Sequence, residues 1–122
     1  MNKSEKRIFN LVRESLKADM IPESYKGFIE HPMFGHCHHA SLAMYILLGG
    51  KAAGYKLQRA VGDDSVIHYW LLSPSKEIID PTSEQYTELG RALPYSNKKD
   101  DRASFRRTRS TLRVVDYVNQ RL

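Results

Sequence analysis

Val66-Ile67-His68-Tyr69-Trp70-Leu71-Leu72 is the stretch on which the fold turns. β-Branched and aromatic side chains fill it, a turn runs from Ser73 to Glu77, and Ile78-Ile79 resumes the apolar pattern before Asp80-Pro81. Such a sequence predicts an antiparallel hairpin. Proline has no N–H for a ladder and pushes the residue before it into extended backbone, so the returning strand ends at Asp80. Side chains alternate faces along a strand, which places His68, Trp70 and Leu72 together. Asp80 joins that face in any register whose paired residue numbers have an even sum, as a direct or diagonal neighbour of His68. A slip of one residue would separate them.

Working outward, Tyr55 to Val61 predicts a further strand and Gly62 to Ser65 a turn. Upstream, His38 to Leu48 predicts a helix stopped by Gly49 and Gly50, which can adopt the left-handed backbone of a C-cap. Its apolar residues wrap almost the whole cylinder, so it should be the central, buried helix. At the N-terminus Ile8, Leu11, Val12 and Leu16 recur at helical spacing, predicting a helix over Ser4 to Ala18 with Asn2 and Glu5 as a capping box. Pro22 to Gly35 should be a surface loop anchored by Tyr25, Phe28, Met33 and Phe34. Tyr86 to Lys99 reads as an irregular connection with one helical turn. Asp100 or Asp101 should then cap a last helix to about Gln120, with Phe105, Leu112, Val115 and Leu122 on one stripe. Together these elements predict an α+β domain, helices packed on a small antiparallel sheet.

At 122 residues and 14.1 kDa, with 41% hydrophobic and 27% charged residues, the composition is that of one folded domain rather than a disordered chain. The longest apolar run, Ala43 to Leu48, is far short of the roughly 20 residues that span a bilayer. Met1 to Arg7 opens no signal-peptide core. One cysteine, Cys37, cannot close an intramolecular disulfide. The expectation is a cytoplasmic protein with no membrane partner.

The net charge of +5 is confined to the C-terminal part: Lys and Arg balance Asp and Glu ten to ten up to Gln85, then outnumber them nine to four. Arg91, Lys98, Lys99, Arg102, Arg106, Arg107, Arg109, Arg113 and Arg121 carry the excess, which would attract nucleic acid or an acidic protein partner in a salt-dependent way. The same arginines also suit a solvated helix face.

Cys37 sits where the loop meets the central helix, and there the helix dipole and unpaired N–H groups favour a thiolate over a thiol. A nucleophile needs a base. His68 is a polar residue inside an apolar strand, and Asp80 can hold its ring so that the other ring nitrogen faces the sulfur. Taken singly, each residue has an ordinary structural explanation: a buried thiol, a sheet histidine, a turn former beside proline. His31, His36, Cys37, His38 and His39 crowd together, and zinc accepts such ligands. Adjacent residues at a helix start point in different directions, however, and no second C-x-x-C or H-x-x-x-H pair is present, so no metal or other cofactor is expected. Trp70 is the candidate wall of a substrate cleft.

Pro32-Met33-Phe34-Gly35-His36-Cys37, the helix to Leu48-Gly49-Gly50, His68-Tyr69-Trp70 and Ile79-Asp80-Pro81-Thr82-Ser83-Glu84-Gln85-Tyr86 resemble the YunG-like family, within the wider papain-like and transglutaminase-like group of cysteine enzymes. The resemblance covers about half of the chain, from His31 to Tyr86. It implies one papain-like domain over 1–122, of the NlpC/P60 or transglutaminase kind. Residues 1–30 would be an N-terminal helix and loop, 31–86 a catalytic-type core, and 87–122 a basic segment with a helix. It also implies a Cys37–His68–Asp80 triad. The family pattern has glutamine immediately before the cysteine, where this chain has His36. His36 would either face solvent or donate a ring N–H to an oxyanion.

The function expected on these grounds is a cysteine-dependent hydrolase or acyl transferase, of peptidase, amidase or deamidase type, acting on a protein or peptide-like amide. The alternative is a non-catalytic binding module that engages nucleic acid or an acidic protein through its basic C-terminal helix.

Overall fold

Asn2 opens the first helix, α1 (Lys3–Ser15), with the expected capping box: its side chain accepts from the Glu5 N–H at 2.8 Å, and the Glu5 carboxylate accepts from the Asn2 N–H at 2.8 Å. The helix ends three residues before the predicted Ala18. In its last turn the Ser15 hydroxyl donates to the Val12 carbonyl, and Leu16 turns to extended backbone. A 3-10 turn at Ala18–Met20 follows. The structure, a computed structural model, describes residues 1–28, 30–62, 65–101 and 107–122, without the side chain of Phe28. The anchor expected at Phe28, the tip of the turn at Asp63 and Asp64, and the stripe position Phe105 lie outside the described residues.

The predicted loop holds a 3-10 segment, Glu23–Phe28, and Tyr25 packs edge-on against buried Phe34. Next comes α2 (Cys37–Leu47), ended by Gly49 in the left-handed conformation at φ 100°. The sheet has strands β1 (Lys56–Val61), β2 (Ile67–Leu72), β3 (Ile78–Ile79) and β4 (Lys99–Asp100) in the antiparallel order β3-β2-β1-β4. A short helix, α3 (Glu84–Thr87), begins before the connection predicted over Tyr86 to Lys99, which itself holds a 3-10 turn at Tyr95–Asn97, and the last helix is α4 (Arg109–Asn119).

The start predicted for that last helix is wrong. Lys99 and Asp100 pair with Arg59 and Gln58 as an edge strand, and the Asp101 N–H donates to the Leu57 carbonyl at 2.8 Å. Thr108 is the cap instead, accepting from the Thr111 N–H. The buried stripe also differs: Thr111, Val114 and Val118 face inward, whereas Leu112 and Leu122 are exposed and Val115 only half-buried.

Helices and sheet meet in a main core, with a second cluster of Cys37, Leu42, Leu57 and Tyr69 beside it. Ile8 and Val12 of α1, Ala40, Ala43 and Met44 of α2, and Val114 and Val118 of α4 cluster with Leu71 and Ile79 of the sheet. The central helix is therefore covered by other helices on one side and by strands on the other, which suits its near-uniform apolar surface. Mixed α/β architecture, with helices on a small antiparallel sheet, follows. No helix of the described residues is long and apolar enough to cross a membrane.

Candidate functional site

The hairpin register pairs Leu71 with Ile79 and Leu72 with Ile78, sums that are even. Continued by one residue, it sets Asp80 opposite Trp70 and diagonal to His68. The two side chains meet: His68 Nε2 lies 2.6 Å from Asp80 Oδ2, with both groups buried. Two further donors converge on the carboxylate. Tyr95 gives its hydroxyl to Oδ2 at 2.7 Å, and the Thr82 N–H donates to Oδ1 at 3.1 Å.

The thiol arrives by a different route. β3 is too short to cover the Ile67 end of β2, so that edge is unpaired by strand, and α2 runs along it. Cys37 Sγ donates to the Ile67 carbonyl at 3.5 Å, and Ser41 Oγ donates to the Tyr69 carbonyl at 3.1 Å. Residues one helical turn apart match carbonyls two strand residues apart, since both repeats are about 6 Å. Sequence alternation thus sets His68 on the face away from α2, while the helix start reaches its strand's free edge. The sulfur is among the influences that raise the imidazole's proton affinity.

Electrostatically, burial alone would push the His68 pKa down. The hydrogen bond to Asp80, then the contact with Cys37 and the charges of both, outweigh it and hold the ring at about 9. Nδ1, the nitrogen expected to face the sulfur, instead has Gln85 Nε2 as its close partner, at 2.7 Å. Tyr86 packs edge-on against the ring at 4.7 Å and Trp70 stacks beside it at 5.9 Å. Trp70 has no exposed surface and donates its indole N–H to Gln58 Oε1. It backs the imidazole from inside the protein rather than presenting a face to solvent.

His36 is buried, not solvent-facing. Its Nδ1 lies 2.7 Å from His39 Nε2, and burial lowers its pKa to about 4. His39 is lowered to about 3, by burial first and then by the charges of His36, His38 and Arg113. Both rings are neutral at pH 7, the state in which one imidazole donates to the other. Among the described residues, no three His, Cys, Asp or Glu side chains are grouped to hold a metal ion.

Gln85 and Tyr95 were not read from the sequence as site residues. For Gln85 a signal existed. Asp80 before Pro81-Thr82 forms an Asx-type turn through its bond to the Thr82 N–H, and that turn reverses the chain into α3, whose second residue is Gln85. No local pattern marks Tyr95. Two surface cavities, of about 890 and 390 Å³, are lined respectively by α2 C-terminal and β1 residues such as Tyr45 and Leu57, and by Ala60, Ile67 and Lys99. Neither is lined by Cys37, His68 or Asp80. No family model, curated protein or solved structure matches this chain.

Proposed function

We propose that the chain is a cysteine-dependent hydrolase or acyl transferase with a papain-like or transglutaminase-like core, in which Cys37, His68 and Asp80 act together on an amide of a protein or peptide-like substrate. The observation that carries this reading is the buried His68–Asp80 pair at 2.6 Å on the strand whose edge receives the Cys37 thiol. A raised imidazole pKa favours the thiolate–imidazolium form, and Asp80 keeps the ring oriented through Nε2; Nδ1, which Gln85 Nε2 approaches at 2.7 Å, has to exchange that contact to carry the proton. The thiolate attacks the carbonyl carbon, the S–C bond forms, and the Nδ1 proton passes to the departing amine as the C–N bond breaks. Water, or an acceptor amine, then gives a proton to Nδ1 as it displaces the sulfur.

His36 can serve an oxyanion only through its Nε2, because Nδ1 is engaged by His39. Substrate must reach a sulfur whose residue is 7% exposed, so the cover over Cys37 has to shift on binding. The binding-module alternative has less behind it. Arg91, Arg113 and Arg121 already engage Glu30, Asp19 and the Tyr117 ring of the chain itself.

A small alkylating agent tests the proposal. Iodoacetamide at pH 6 should modify Cys37 at least about tenfold faster than a free thiol of ordinary pKa, and His68→Ala should abolish the difference. Reactivity no greater than that of the free thiol, and indifferent to His68→Ala, overturns the nucleophile assignment.

A further inference from the structure

A ring nitrogen that takes up and releases a proton changes from acceptor to donor, so a fixed partner can serve only one of the two states. His68 Nδ1 has Gln85 Nε2 at 2.7 Å, and Gln85 is buried. A primary amide offers a donor and an acceptor at nearly the same place, exchanged by a half-turn about its last bond. Nε2 of His68 has no such latitude, since it is held by Asp80, whose other contacts are Tyr95 and the Thr82 N–H.

We propose that Gln85 is a positioning residue for His68 whose amide turns with the ring's proton: Nε2 donates to the neutral imidazole, and Oε1 accepts from the Nδ1–H of the imidazolium. The inference rests on the cysteine-enzyme reading for its use in catalysis, but the turning itself does not require a reaction. When the Cys37 proton moves to Nδ1, sulfur keeps the electron pair and the amide carbonyl rotates in to receive the new N–H. When that proton leaves with the amine, the amino group returns. Nδ1 keeps a partner at either stage, which keeps the two states closer in free energy than a one-sided partner would allow.

Asp80 and Cys37 raise the ring's proton affinity, while Trp70 and Tyr86 pack against it. Tyr95 reaches it only through Asp80, and burial followed by the Asp80 charge and hydrogen bond pushes its phenol pKa up.

Two-dimensional NMR of the side chains provides the test. In the wild-type protein and in Cys37→Ala, the Gln85 amide resonances should titrate with the same midpoint as the His68 ring. Gln85→Glu, which when ionised can only accept, should raise that midpoint by about one pH unit or more, a tenfold gain in proton affinity. A Gln85 amide signal that stays flat while His68 titrates overturns the proposal, as does an unchanged His68 midpoint in Gln85→Glu. Because Cys37→Ala cannot react, these outcomes are separate from the alkylation result that judges the enzyme reading.

Discussion

Asp80 Oδ2 receives His68 Nε2 at 2.6 Å and the Tyr95 hydroxyl at 2.7 Å on the same oxygen, so one buried carboxylate both orients the imidazole and ties it to the 3-10 turn Tyr95–Asn97. Asp80→Asn keeps the shape and removes the charge. The His68 pKa should then fall from about 9 towards or below its ordinary 6.5, because burial becomes the main remaining influence. Removing one partner of a buried pair should also cost roughly 3 kcal/mol of stability at pH 7. Ring-proton NMR and urea unfolding measure the two effects.

The same pair predicts a direction with pH. The folded-state pKa lies above the unfolded value, so the stabilisation is complete below about 6.5 and is lost as pH rises through about 9. Urea midpoints of the wild type should decline over that window, and those of Asp80→Asn should decline less.

His36 and His39 act in the opposite sense. Their folded pKa values, about 4 and about 3, lie below 6.5, so the unfolded chain takes up protons first as pH falls. Stability should be intact above about 6.5 and should drop by a few kcal/mol, roughly, on acidification towards pH 4. His39→Leu should lose about 1–3 kcal/mol at pH 7, because it leaves the His36 ring unpaired, yet show a shallower acid decline. Urea unfolding between pH 7 and pH 4 checks both statements.

Gly35 sets the approach of the backbone to His36 and Cys37. It has φ 83°, and a Cβ there would come within 2.6 Å of Ile21 Cγ2. Gly35→Ala should therefore destabilise by about 2 kcal/mol or more, from backbone strain and overpacking together. Adding Ile21→Ala should relieve the steric part of the Gly35→Ala cost but not the backbone part, as a double-mutant cycle in urea would show.

Ser41 aligns the helix on the strand. Ser41→Ala leaves the buried Tyr69 carbonyl without the hydroxyl at 3.1 Å and should cost about 1–3 kcal/mol. If α2 loses its fixed position along β2, Cys37 should also lose part of its rate advantage with iodoacetamide, whereas Leu112→Ala on the exposed face of α4 should leave that rate unchanged.

Local chemistry made much of the fold legible. The Asn2–Glu5 box, the glycine stop after α2 and the hairpin from Ile67 to Ile79 are set by interactions within a few residues of one another. The end of the last helix was legible for the same reason, at Asn119 against the predicted Gln120. Its start was not, because Asp100 is as good a cap as Thr108 and only pairing with Gln58 selects between them.

The chain's own pattern determined that His68 and Asp80 share a face in any even register, and the pairing of Leu71 with Ile79 supplies that register. Which groups surround that pair was decided by tertiary structure alone. Gln85 on Nδ1, Tyr95 on the carboxylate and the burial of Trp70 depend on how separate segments stack after the hairpin has formed, and no periodicity along a strand encodes a contact made across the space between elements. Cys37 belongs to both: its place at a helix start is written locally, but its meeting with Ile67 needs β3 to be short enough to leave that edge open.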